Sequence, residues 1–252
     1  MSNLMSNYIS RKFFIAVFFT FLFSPFYCLA ADILPTLEGI IEAKEVIELG
    51  SQTPGIVEKI LVERGDRVTK GQLLIQLRAD VEKADVELKE AKVEFLKRKV
   101  DRSRELSREE MISVNEMDEI QTELLLARLE LNESRALLQL KSITSPIKGI
   151  VTSRDCSAGE YIGSDLAILS LAQIDPLYVE VVAPISCFGS IHKDMKAKIR
   201  PEEPLHGLSY TATVIIVDQV IDAASGTFGV RLLLPNPKMT LPAGLKCQVQ
   251  FF

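Results

Sequence analysis

The sequence predicts a mainly β protein interrupted by one long α-helical hairpin, and three observations carry that expectation. Residues 72–145 hold neither glycine nor proline, 74 consecutive positions, while the chain on both sides is punctuated by them. Those two residues are the main interrupters of helices, so the gap reads as long helix. The flanks are rich in β-branched residues between regular Gly and Pro, the pattern of short strands and tight turns. The flanks also repeat each other. Gly55-Ile56-Val57 is followed, after seven residues, by Gly65-Asp66-Arg67-Val68, and Gly149-Ile150-Val151 by Gly159-Glu160-Tyr161-Ile162 at the same spacing.

The N-terminus reads as an export signal rather than as part of the fold. Arg11 and Lys12 precede an apolar run from Phe13 to Phe23, then Ser24-Pro25, then small residues at Ala30 and Ala31. These are the basic, apolar and cleavage regions of a secretory signal over residues 1–31. The run is short for a membrane span, which needs about 20 residues, and Pro25 breaks it. Cys28 suggests a lipoprotein, but Phe26-Tyr27 before it fits a lipobox badly. Cys156, Cys187 and Cys247 are then left for an oxidising compartment. Their odd number and wide spacing fit neither a disulfide framework nor a zinc site, so each is expected as a small buried side chain.

The helical insert carries seven-residue apolar repeats. In its first half Val81, Leu88 and Phe95 recur, with Ala84 and Ala91 offset by three. In its second half Met117, Leu124, Leu131 and Leu138 recur, with Ile120, Ala127 and Ser134 interleaved. Such spacing predicts the seam of a two-helix coiled coil. The repeat fails around 107–115, and Ser113 with Glu116 forms an S-x-x-E capping box that opens a new helix. The expectation is an antiparallel hairpin that bends near 108–113. Between 79 and 142 lie 16 acidic and 12 basic residues, so the apolar seam is narrow and the remaining surface is wet.

Each repeated β segment ends in an apolar alternation, Leu73–Leu77 and Leu166–Leu171. Two such half-motifs predict a small pseudo-symmetric β-sandwich whose connecting turn has become the hairpin. Gly55, Gly65, Gly149 and Gly159 would serve turns at positive φ or close strand approach. The two glycine-marked segments are expected to share a sheet.

Composition narrows the function. The net charge of −5 has no basic stripe, which argues against nucleic acid. Only His192 and His206 are present, without a G-x-S-x-G or H-E-x-x-H around them, so hydrolytic machinery is not visible. Soft metals want Met and Cys clusters, and Met111 and Met117 are too few and read as packing.

These residues resemble those of the periplasmic adaptor subunits, or membrane fusion proteins (HlyD-like), of tripartite efflux systems, most closely the RND-type adaptors. The duplicated half-motif looks like the family's biotinyl/lipoyl-like module. Ile143–Val151 is similar to the family's return from hairpin to that module. Ile174-Asp175-Pro176-Leu177-Tyr178-Val179 resembles the approach to the adaptor β-barrel. Gly226–Arg231, Asn236-Pro237 and Leu241–Gly244 resemble its closing strands. The resemblance implies a β-barrel from 32–49 and 172–252, a lipoyl-like domain from 50–78 and 143–171, and a hairpin from 79–142.

It also implies a role without chemistry or cofactor: a periplasmic ring linking an inner-membrane efflux transporter to an outer-membrane TolC-type channel, with an ABC-type exporter or secretion system as the alternative transporter. Adaptors that dock on such channels carry Arg-x3-Leu-x6-Ser at the hairpin tip, and Arg102, Leu106 and Ser113 fit that spacing. There Arg102 would supply fork-like hydrogen bonds, Leu106 an apolar knob and Ser113 a small contact. Two departures stand out. The chain ends soon after the barrel strands, so the family's membrane-proximal domain is expected to be absent or vestigial. The carrier lysine of true lipoyl domains sits at a turn that the hairpin here replaces, and neither Lys70 nor Lys148 takes that position.

Overall fold

Two long strands tie the fold together in the computed structural model, which describes residues 34–252 apart from 110, 165, 204 and 206. The expected export signal, Cys28 and His206 lie outside the described residues. Strand β1 (Leu37–Gly50) and strand β8 (Ala167–Pro184) run antiparallel and pair from Gly39 to Gly50 and from Ala167 to Val181. Gly39–Ala43 pair with Leu177–Val181 at one end, and Glu45–Gly50 with Ala167–Gln173 at the other, with a bulge between. The first end belongs to a barrel and the second to a sandwich, or half-barrel.

The barrel closes through β9 (Lys196–Pro201), β10 (Tyr210–Val217), β11 (Thr227–Leu234) and β12 (Leu245–Phe251), in the order β1-β12-β9-β10-β11-β8 and back to β1. Closure pairs every strand on both sides and leaves no open edge. Strict alternation fills the inside. Phe228, Val230, Leu232 and Leu234 of β11 are buried, as are Leu177, Val179, Val181 and Ala183 of β8, while the residues between them face outward. Cys247 occupies one of these inward positions, and burial pushes its thiol up to about 12.

The sandwich is built from β2 (Gly55–Ile60), β3 (Arg67–Val68), β4 (Leu73–Leu77), β5 (Ser142–Thr144), β6 (Gly149–Arg154), β7 (Tyr161–Ile162) and the sandwich ends of β1 and β8. One sheet runs β5-β4-β2-β7; facing it, β8 carries β6 and then β3. The glycine-marked strands β2 and β6 therefore lie in opposite sheets, not in one as the sequence suggested. The repeat is related across the sandwich: the short strand of each half crosses over to pair with the glycine strand of the other, β7 on β2 and β3 on β6. Backbone bonds match in the same way. Gly65 N–H donates to Val151 O at 2.9 Å and Gly159 N–H to Val57 O at 2.8 Å; Val151 N–H returns to Asp66 O and Val57 N–H to Glu160 O. The two halves clasp each other as expected, but by strand exchange.

The shared core carries the same symmetry. Val57, Val62, Val68, Leu74, Ile75 and Leu77 are buried, and so are Val151, Cys156, Ile162, Ile168, Leu169 and Leu171, each 94 positions further along. Cys156 is thus the twin of Val62, and both are 3% exposed. Cys156→Val is expected to change stability by less than about 1 kcal/mol, because it copies a side chain the same framework already packs. Equilibrium urea unfolding checks this; a loss well beyond that value would mean the two halves pack differently around this position.

Helices α1 (Asp80–Arg108) and α2 (Val114–Gln139) fill the gap between the halves. Lys92–Glu130 and Lys99–Glu123, both 2.9 Å, and Arg135–Glu90, 2.6 Å, cross between them, so the helices run antiparallel. Their buried cluster, Leu96, Val100, Met117, Ile120, Leu124 and Ala127, comes from the helices alone. The α2 seam is the expected one: Met117, Ile120, Leu124, Ala127, Leu131 and Ser134 are buried, and Leu138 is half-buried.

The α1 seam is not the expected one. Val81, Leu88 and Phe95 are 79, 68 and 53% exposed, and Val86, Leu96, Val100 and Ser103 are buried instead, with Val93 half-buried. Helix α1 carries two rows at heptad spacing, Val81-Leu88-Phe95 and Val86-Val93-Val100, about two fifths of a turn apart. Period alone cannot say which row faces the partner; the cross-helix contacts decide it.

The seam is polar near its root. Ser134, 2% exposed, donates to Asp85 Oδ2 at 2.6 Å and accepts from Lys89 Nζ at 2.7 Å, and Lys89 lies 3.2 Å from Asp85. The Ser134 hydroxyl first, and Lys89 second, hold the Asp85 carboxyl below its ordinary 3.8. A carboxylate with a lowered folded pKa stabilises the fold while ionised. That contribution is complete above the unfolded value of about 3.9 and is lost as the pH falls through the lowered folded value. Ser134→Ala should raise the Asp85 midpoint towards 3.8, followed by NMR titration of the carboxyl. An unmoved midpoint would show that Ser134 does not hold it.

Candidate functional site

The residues that fit the tip motif lie along the approach to the reversal of the two helices, Arg102 and Leu106 in the last two turns of α1 and Ser113 at the start of α2. Arg102 and Leu106 lie one turn apart on α1, at the i, i+4 spacing that puts side chains on one face. Both are exposed, Leu106 to 41%. Ser113 is the N-cap of α2: it takes an extended conformation, and its hydroxyl accepts the Glu116 N–H at 3.1 Å. That bond satisfies one of the free N–H groups of the first turn. On the α1 side Met111 N–H donates to Leu106 O at 2.9 Å, which closes the reversal. A 29-residue helix is about 44 Å long, which sets the distance of this turn from the helix root.

Two further residues belong to the tip. Met111 is 67% exposed and Val114 75%. Met111 was expected to pack, as Met117 does at 8% exposure. It does not, because it sits in the reversal, where the partner helix offers no seam. With Leu106 they form an apolar trio around the cap. The sequence signal was available in the failure of the repeat over 107–115, which leaves apolar residues there without an internal partner.

The four glycines of the repeat serve different needs. Gly65 and Gly159 take φ of 96° and 87°, the left-handed region that favours glycine, at equivalent turns. Gly149 is a close approach: a Cβ there would lie 2.5 Å from Ala172 O. At Gly55 a Cβ would meet side-chain atoms alone, the nearest being Leu77 Cδ1 at 3.4 Å.

Elsewhere the chemistry is sparse. His192 is exposed. Cys156, Cys187 and Cys247 are free and buried. Lys148 pairs with Asp175 at 3.3 Å. Among the described residues no group of three or more His, Cys, Asp or Glu is arranged to hold a metal ion, and no helix is long and apolar enough to cross a membrane. The outer wall of the barrel presents an ion pair stacked on an aromatic ring: Arg231 Nε donates to Glu180, and its guanidinium lies 5.1 Å from the Tyr178 ring centroid. The bond to Glu180 raises the pKa of Arg231.

A closed barrel continued by shared strands into a sandwich, with a helix pair spliced between the sandwich halves, defines a barrel-sandwich hybrid protein. Residues 45–173 match the CzcB-like barrel-sandwich hybrid domain, and the chain belongs to that family. The resemblance to efflux adaptors therefore holds.

Among curated relatives, the chain is 24% identical over 226 residues to the antibiotic efflux pump periplasmic linker protein ArpA of Pseudomonas putida, covering 83% of this chain and 60% of that one. It is 23% identical over 245 residues to the multidrug resistance protein MdtE of Escherichia coli strain K12, covering 86% and 63%. The chain thus spans about three fifths of the length of these relatives. Among solved structures, a putative efflux transporter from Bacteroides eggerthii superposes with a TM-score of 0.73 at 19% identity, over 87% of this chain and 68% of that one. A MacA–MexA chimera carrying the Pseudomonas aeruginosa MexA α-hairpin gives 0.71 at 20%, over 86% and 80%. At these identities the likeness concerns the fold.

Proposed function

We propose that this chain is a periplasmic adaptor without chemistry of its own, exported by residues 1–31 and associated with the inner membrane. In this reading it links an inner-membrane RND-type efflux transporter to an outer-membrane TolC-type channel. Copies assemble into a ring through sandwich and barrel faces, and the two helices form a coiled-coil lever that carries the tip to the channel. The supporting observation is a helix pair with its own buried cluster that ends in a capped reversal ringed by exposed Leu106, Met111 and Val114. A helix pair serving only as core would turn such residues inward. The curated relatives named as efflux-pump linkers support the same role. Arg102, Leu106 and Ser113 would meet the helical end of the channel, with the Arg102 guanidinium suited to bidentate hydrogen bonds.

Leu106→Cys, cross-linked in exporting cells, should trap the channel. Good expression with no channel adduct would refute tip docking. Arg102→Glu should lower drug resistance at unchanged protein level; unaltered resistance would make the three-residue match a coincidence.

A further inference from the structure

We infer that the outer wall of the barrel holds a binding site for a phosphate-bearing anion, centred on Arg200 of β9. The site uses none of the residues that carry the adaptor reading and goes beyond it. Strand β9 reads Lys-Ala-Lys-Ile-Arg-Pro. Its period of two turns Ala197 and Ile199 into the barrel and Lys196, Lys198 and Arg200 out to solvent. Beside it, β12 exposes Lys246 and Gln248. Strands β12, β9 and β10 are neighbours in the closed sheet, and none of them contains an Asp or Glu.

This wall runs against the composition of the chain, whose net charge is −5. The carboxylates of the barrel strands sit on β1 and β8, and there Arg231 is neutralised by Glu180. Among the described residues none of Lys196, Lys198, Arg200 and Lys246 forms an ion pair. A surface that serves solubility alone intersperses both signs. No basic stripe shows in the sequence, because these cations alternate with buried residues and come from two strands far apart along the chain.

A cleft of about 370 Å³ opens on the same wall, lined by Lys198, Arg200, Ser209 and Gln248. Strand register assembles it. Gln248 pairs with Arg200 from β12. On the other side Tyr210 pairs with Ile199, which brings Ser209, one residue earlier, level with Arg200. Arg200 thus has a carboxamide on one flank and a hydroxyl on the other, with Lys198 about 7 Å along the strand. Its guanidinium reaches the Gln250 carboxamide at 3.5 Å, longer than a firm hydrogen bond, so the fork stays available. That fork matches two phosphate oxygens, Lys198 adds a point charge, and the hydroxyl and amide donate to the remaining oxygens. One carboxylate, Glu202, also lines the cleft and opposes an anion there. It sits level with Lys246, to whose carbonyl its N–H donates at 2.9 Å. A free phosphate and a phospholipid headgroup share this chemistry.

The test titrates the purified full chain with inorganic phosphate at neutral pH and constant ionic strength, followed by amide NMR. The amides of Lys198, Arg200, Ser209 and Gln248 should shift together along one saturable curve. Arg200→Gln and Lys198→Gln should each weaken binding roughly tenfold, as for loss of a hydrogen bond to a charged group. Glu202→Gln should tighten it roughly threefold, the scale of an exposed charge interaction, and misfolding cannot mimic that gain. Lys196→Gln, on the same wall but outside the cleft, should leave binding unchanged. A second arm floats the chain with vesicles of phosphatidylglycerol or of phosphatidylcholine. Capture by phosphatidylglycerol alone, abolished by Arg200→Gln and competed by phosphate, would identify a lipid headgroup as the ligand. Phosphate binding at the cleft without such capture would identify a soluble phosphate. The site is overturned if phosphate gives no saturable shift at these amides. It is equally overturned if Lys196→Gln weakens binding as much as Arg200→Gln, since diffuse charge rather than the cleft would then hold the anion.

Discussion

Asn236→Ala is expected to destabilise the fold by about 4 kcal/mol, a large effect for a single side chain. Asn236 is 5% exposed and sits just past the end of β11. Its Nδ2 group donates to Ile174 O at 2.9 Å and to Leu241 O at 2.8 Å, and its Oδ1 accepts the Leu241 N–H at 3.2 Å. Ile174 and Leu241 are themselves buried. Truncation would leave two carbonyls and one N–H without these partners inside the protein, each costing roughly 1–3 kcal/mol. Ile174 also lies where β8 passes from the sandwich into the barrel, so Asn236 pins the junction between them. Urea denaturation should show a lower midpoint at unchanged slope, and amide exchange should quicken first around 173–176. A loss below about 1 kcal/mol would mean that water replaces the amide and that the junction is held elsewhere.

Gly149→Ala is expected to cost about 3 kcal/mol, against less than about 1 kcal/mol for Gly55→Ala at the equivalent place in the other half. The added methyl at 149 would press within 2.5 Å of the Ala172 carbonyl oxygen and 3.1 Å of its carbon. Those atoms belong to β8, which pairs with β6 and β1 on either side and has little freedom to retreat. At 55 the methyl meets a side-chain carbon at ordinary contact distance. Unfolding both variants side by side tests the point, and equal losses would mean that β8 yields. The repeat is symmetric in sequence, but its environment is not. Only the second half is laid against a strand that continues into the barrel.

Much of the architecture is legible before folding. The absence of Gly and Pro over 72–145 marks the helices, and the S-x-x-E box at Ser113 marks the second start, because a capping hydroxyl must accept from the first turn. The α2 seam from Met117 to Leu131 follows from its period. The candidate tip residues Arg102, Leu106 and Ser113 come from the resemblance to channel-docking adaptors, and of the three only Ser113 is also marked by that box. Met111 reads as packing and Val114 is passed over, although the failed repeat over 107–115 signals that apolar residues there lack an internal partner.

Local pattern therefore determined the kind and extent of each element: helices from spacing and caps, strands from alternation, turns from glycine. The structure decided the partners. It chose Val86, Val93 and Val100 over Val81, Leu88 and Phe95, sent the two glycine strands to opposite sheets, and engaged Asn236 with a strand 62 positions away. The reason is range. Period and capping act within a few residues of one segment, whereas a choice between two equally regular faces depends on what a distant segment brings against them.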